Sequence, residues 1–178
     1  MRKLKDYEIS FAGLKQGTHQ FDYQIDKHFL ELFSFDEVND IHQTVTVELN
    51  KKSTLMELHF RNKGTVNVIC DVSAEPFDLE VTGELFLVVK FGEEYNDDED
   101  ELLILPHGEH QMNVAQYIYE LIVLSIPAKR VHPDVLNGTM HSDVLDRLEA
   151  LTPKETVYSP AETIDPRWDN LKNLITDK

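Results

Sequence analysis

Few residues in this chain have the types and spacing that chemistry needs. Pro106-His107-Gly108-Glu109-His110 offers two imidazoles and a carboxylate within four residues. A zinc-protease helix uses His-Glu-x-x-His, which sets both imidazoles one helical turn apart. Here the spacing is shorter and a glycine interrupts it, so the segment is expected to be a surface loop rather than a metal site. His132 and His141 flank another loop and would join such a site only if the fold brought them together. Cys70, the single cysteine, would need a lowered pKa and a histidine partner to act as a nucleophile. It shares an alternating face with Val66, Val68 and Val72, which predicts a packing role. The sequence has no phosphate-binding glycine loop, Gly-x-Ser-x-Gly elbow or dinucleotide fingerprint. Carboxylates are abundant, but abundance does not pair an acid with a base. The expectation is a binding protein, not an enzyme, with no cofactor and no metal.

Charge is the next source of function. The chain has 33 acidic residues against 17 Lys and Arg, a formal net charge of −16. Residues 1–70 hold nine Lys and Arg against ten acids, whereas residues 71–178 hold eight against 23. The overall field opposes nonspecific attraction to a phosphate backbone, and no DNA partner is expected. Seven acids crowd residues 93–101, EEYNDDEDE, a run that repels itself and favours a solvated loop. Such a loop either solubilises the chain or docks a basic partner such as a ribosomal protein. It lacks the glycine that an EF-hand turn requires. In the near-neutral first part, Lys51 and Lys52 precede one strand, while Arg61 and Lys63 fall in an expected hairpin turn. If those strands pair, the two basic groups lie near opposite ends, and Arg2, Lys3 and Lys5 extend whichever end they meet. These cations are read either as solubilising charge or as a local RNA-contacting surface.

The elements that position these residues follow from periodicity. Tyr7, Ile9 and Phe11 share one face at period two, as do Phe21, Tyr23 and Ile25. Lys27–Phe33 predicts a short helix. Ile41, Val45, Val47 and Leu49 line one face of a strand, and Met56, Leu58 and Phe60 line another. Arg61-Asn62-Lys63-Gly64 is expected to turn the chain, since Asn and Gly tolerate positive φ. Val66, Val68, Cys70 and Val72 then form a returning face. After Pro76 the odd positions Phe77, Leu79, Val81, Leu85, Leu87, Val89 and Phe91 predict one long strand, which Gly83 would bend. Short turns without intervening helices predict antiparallel pairing. Asn113 is expected to cap a helix bearing Val114, Tyr117, Ile118, Leu121 and Ile122, ended by Pro127. Ser142 caps a second helix, with Val144, Leu145 and Leu148 inward. Asp165 caps a third, with Pro166 at its first position and Trp168, Leu171 and Leu174 on one stripe.

Strands first and helices last predict an α+β fold: a curved antiparallel sheet, or a partly open barrel-like sheet, with C-terminal helices. A chain of 178 residues fits a single domain over residues 1–178, with an acidic loop at 93–101 and a C-terminal extension at 151–178. One cysteine excludes an intramolecular disulfide framework. Asp6 and Glu8 interrupt the N-terminal segment, so neither a leader nor a membrane span is expected there. The chain is expected to be soluble and cytoplasmic, with no membrane partner.

Two motifs carry a family resemblance. The run Val68-Ile69-Cys70-Asp71-Val72-Ser73-Ala74-Glu75-Pro76-Phe77, followed by the alternating strand through Phe91, resembles the central signature of the YceD family. These are the large ribosomal RNA subunit accumulation proteins, long catalogued as a domain of unknown function. The family core reads Cys-x-Arg-Cys-Leu-Glu-Pro-Phe; Cys70, Glu75, Pro76 and Phe77 match it. Val72 stands where Arg is common, Ser73 where a second Cys is common and Ala74 where Leu is common. Without that second Cys, the paired form on which a metal or redox role would rest is missing. Asp165-Pro166-Arg167-Trp168, with Leu171 and Leu174, is similar to the family's closing segment. The resemblance spans roughly residues 40–175. It implies a non-enzymatic role in accumulation or processing of large-subunit ribosomal RNA, by binding RNA, a basic ribosomal protein, or both. The alternative is an acidic adaptor without RNA contact. Candidate binding residues are Lys51, Lys52, Arg61, Lys63, Glu75, Phe77, Arg167 and Trp168.

Overall fold

Alternating apolar residues over most of the chain dictate strands with one buried face. The computed structural model describes residues 4–153. After a 3-10 turn at Leu4–Tyr7 come β1 (Glu8–Ser10), β2 (Gly17–Ile25), α1 (Lys27–Glu31), β3 (Asp40–Lys51), β4 (Leu55–Ile69) and β5 (Pro76–Gly92). They are followed by β6 (Asn96–Glu99), β7 (Leu102–Pro106), β8 (Gln111–Asn113), α2 (Ala115–Ser125), α3 (Pro133–Leu136) and α4 (Asp143–Leu151). Six strands form one sheet in the order β2-β3-β4-β5-β7-β6, and β1 pairs with β8 in a separate ribbon. The architecture is α+β, and the large sheet does not close into a barrel.

The expected faces are the buried faces. Ile41, Val45, Val47 and Leu49 on β3, Met56, Leu58, Phe60, Val66 and Val68 on β4, and Val81, Leu87 and Val89 on β5 are all buried. Helix α2 packs across β4 and β5 and contributes Ile118, Leu121 and Ile122 to the same core, as the N-terminal segment does through Tyr7, Ile9 and Phe11. Asn113 caps α2 from one residue further out than a usual N-cap, its Oδ1 accepting from Ala115 N at 2.9 Å. Ser142 caps α4 by accepting from Leu145 N.

The expected hairpin turn at Arg61–Gly64 is overturned. These residues lie in the middle of β4, and the chain reverses instead after Lys51, where Lys52 N donates to Leu55 O at 2.9 Å. Gly64 answers a close approach, not a turn. A Cβ there would stand 2.1 Å from the backbone oxygen of His42 on β3, and the residue has φ +156°. Asn62 points into the core rather than into a turn, donating to Gln43 Oε1 at 2.8 Å, with Ser125 of α2 donating to its Oδ1 at 3.4 Å. Gly83 on β5 lies beside the same pair, and a Cβ on it would meet Ser125 Oγ at 2.1 Å. The missing side chain thus lets α2 seat on the sheet.

Three further expectations change. Pairing is not wholly antiparallel: β7 runs parallel to β5, Val88 opposite Leu102 through Gly92 opposite Pro106. The apolar segment Leu102–Pro106 takes the place beside β5, which leaves the acidic segment at the sheet's margin, where a charged strand resists further pairing. The acidic run 93–101 is therefore not all loop, since Asn96–Glu99 forms the fully exposed β6. Helix α4 buries no residue; Val144 and Leu148, expected inward, are 43% and 45% exposed.

Candidate functional site

Because strand side chains alternate, the sheet face opposite the core is fixed once the core is known. Across β3, β4 and β5 it is built in rows: Glu48 opposite His59 opposite Phe86, Thr46 opposite Arg61 opposite Glu84, and Thr44 opposite Lys63 opposite Thr82. On β2, Gln20, Asp22 and Gln24 extend these rows to the edge. A groove of about 600 Å³ runs along this face, lined by Gln20, Thr44, Thr46, Arg61, Lys63, Thr82 and Glu84, with Asn62 and Gly83 also reaching it.

Side-chain hydrogen bonds order much of this surface. Thr46 Oγ1 donates to Asp22 Oδ1 at 2.7 Å, and Thr44 Oγ1 to Gln24 Oε1 at 3.2 Å. Arg61 donates to Glu48 at 3.0 Å, and His59 Nε2 lies 3.2 Å from Glu84 Oε2. Lys63 is exposed and has no ion-pair partner among the described residues. Phe86 is 57% exposed on this polar face, with its ring stacked on that of His59. An exposed aromatic beside cations on a sheet is a platform on which a single-stranded base can stack while its phosphates meet positive charge.

The candidate cations separate by environment. Lys51 is committed to the fold: its Nζ donates to Phe11 O at 2.8 Å and Leu14 O at 2.9 Å, tying the N-terminal segment to β3. Lys52 pairs with Glu57 at the hairpin end. Arg61 and Lys63 stand together near the middle of the sheet, away from that end. Phe77 is buried and meets His132 edge-on, ring centroids 5.2 Å apart. Glu75 is exposed and its carbonyl closes the β4–β5 turn by accepting from Cys70 N at 2.8 Å. Arg167 and Trp168 lie outside the described residues.

Two residues of this face, His59 and Phe86, escaped the sequence reading. The signal was present: Phe86 is an aromatic at an even position in a strand whose other large apolar residues, apart from Val88, occupy odd ones. Its partner could be found only with the β4–β5 register, which the misplaced turn had hidden.

The β4–β5 turn forms a second, buried arrangement. Ser73 N and His132 N both donate to Cys70 Sγ, at 3.4 and 3.3 Å. Burial opposes ionisation of Cys70. The hydrogen bonds from Ser73 and from the backbone amides of His132 and Val72 outweigh it, and the thiol is lowered to about 7. At 1% exposure this thiol packs in the core, as its strand face predicted. His107 and His110 lie in the exposed connection between β7 and β8, and no cluster of three or more metal-ligating residues occurs among the described residues.

Comparison with known families gives one match. The model of the family described as "Large ribosomal RNA subunit accumulation protein YceD" matches residues 58–175. The matched stretch contains the Cys70–Phe77 run, the long β5 strand and the closing segment at 165–174. No curated protein and no solved structure matches the chain.

Proposed function

The chain belongs to the YceD family, and from that membership we propose that it supports large-subunit ribosomal RNA by binding, with the outer face of the large sheet contacting RNA. The family's role is in accumulation of large-subunit ribosomal RNA, and its description names no reaction. The observation that carries the RNA contact is Phe86, 57% exposed and stacked on His59, with Arg61 and Lys63 one and two rows along the same face. Base stacking supplies affinity that survives in an acidic protein, because it depends on ring contact rather than net charge. The repelling bulk charge in turn restricts binding to this local surface and disfavours indiscriminate attachment to any polyanion.

A ribosome-assembly role implies a cytoplasmic protein whose partners are large-subunit ribosomal RNA and basic ribosomal proteins. No helix among the described residues is long and apolar enough to cross a membrane. Sucrose-gradient sedimentation of tagged protein from lysate, with and without ribonuclease, tests the reading. Comigration with precursor large subunits that ribonuclease abolishes is the expected result. Protein confined to the top of the gradient at low salt, with particles intact, would count against it.

A further inference from the structure

A second groove lies between the margin of the large sheet and α2. Its volume is about 260 Å³, and Tyr95, Leu103, Leu105, Pro106, Met112 and Tyr117 supply its apolar walls. Tyr95 is 57% exposed at the mouth, its hydroxyl donating to Asp97 at 2.9 Å. Glu109 also lines the groove. Burial first, then electrostatic interaction with Tyr95, Asp97 and Glu120, holds the Tyr117 phenol well above its ordinary range. The exposed strand β6 and its flanks bring the other acids of the 93–101 run to the same margin.

We propose that this groove docks a Lys- and Arg-rich segment of a protein partner, seating one apolar side chain against Tyr95 and Met112 while the carboxylates around it meet the flanking cations. The occupant follows from complementarity. The cavity matches a single large aliphatic or aromatic side chain, and its acidic surround selects against an acidic peptide or a nucleic acid, which like charge repels. An apolar anchor gives the affinity and the acidic margin gives the choice of partner. This inference rests on the protein-binding half of the proposed function. It uses a different surface from the RNA contact, so each can fail without the other.

Fluorescence polarisation with a synthetic Lys/Arg-rich peptide carrying one leucine tests it, alongside the same peptide with glycine in place of leucine. Binding of the first peptide is expected, with roughly tenfold weaker binding both for the glycine peptide and for the Tyr95→Ala protein, as loss of a central anchor predicts. Glu109→Lys should weaken binding at low salt, and Phe86→Ala should leave it unchanged. Circular dichroism of each variant confirms that Tyr95→Ala and Glu109→Lys keep the fold. Failure of the leucine peptide to bind, equal binding of the two peptides, or unaltered binding by Tyr95→Ala would overturn the proposal.

Discussion

His59 lies flat against Phe86, with ring centroids 3.9 Å apart and planes 13° from parallel. The two are direct cross-strand partners on β4 and β5. Cross-strand aromatic contacts of this kind contribute about 0.2–1 kcal/mol to a sheet, yet this one leaves Phe86 57% exposed. A phenyl ring held in place and still open to solvent is pre-ordered for another flat ring. Arg61 and Lys63 follow on the same face of β4, one and two rows along.

Lys51 and Lys63 should behave as different kinds of cation. Lys51→Met removes both hydrogen bonds, leaving the Phe11 carbonyl with only the Leu14 amide and taking from the Leu14 carbonyl its bond to Nζ, which should cost about 1–3 kcal/mol. Lys63→Met, at an exposed position, should stay within about 0.5 kcal/mol of wild type. Urea denaturation of the two variants separates them; equal stability would contradict the assignment of Lys51 to the fold.

Close backbone approach makes Gly64 hard to replace. In Gly64→Ala the new Cβ meets His42 O at 2.1 Å, and neither backbone can retreat without breaking the β3–β4 ladder. A loss of about 2 kcal/mol or more is expected in equilibrium unfolding. Gly83→Ala differs because its nearest obstacle is a side-chain atom, Ser125 Oγ at 2.1 Å. Its cost should shrink when Ser125→Ala is added, a coupling that a double-mutant cycle would read directly.

Cys70 should make stability depend on pH. Its thiol falls to about 7 in the folded chain from an ordinary 9.0, so between these values the folded protein releases its proton first. Stability relative to Cys70→Ala should therefore rise as pH increases from about 7 to 9, hold above 9, and disappear as pH falls through about 7. Urea midpoints of both proteins across that range test the sign. A difference that does not vary with pH would show that the amides of Ser73 and His132 do not favour the thiolate.

Period-two alternation made the buried faces legible, because a strand with one face in the core must repeat that way. The alternation says nothing about where a chain reverses, and Asn62 and Gly64 imitate a turn. Their place within a strand depends on Gln43 and Ser125, residues distant in sequence, and on the proximity of His42, which only the register supplies. The parallel placement of β7 was equally hidden, since it depends on which of two neighbouring segments, one apolar and one acidic, wins the place beside β5. The apolar stripe of α4 gave the period of a helix without what it faces. Of the site, Arg61 and Lys63 are visible as cations but the Asn-Gly signal places them in a turn, and Phe86 falls outside the odd-position pattern that marks the buried face of β5.

Fluorescence anisotropy of wild-type protein and the Phe86→Ala variant with single-stranded segments of large-subunit ribosomal RNA tests the central claim most directly. Stacking on Phe86 predicts a loss of affinity of about fivefold or more in the variant, with Lys63→Glu also weaker and its deficit shrinking as salt rises. Wild-type protein that fails to bind RNA at low salt, or a folded Phe86→Ala variant that binds as wild type does, would contradict the sheet face as the RNA contact.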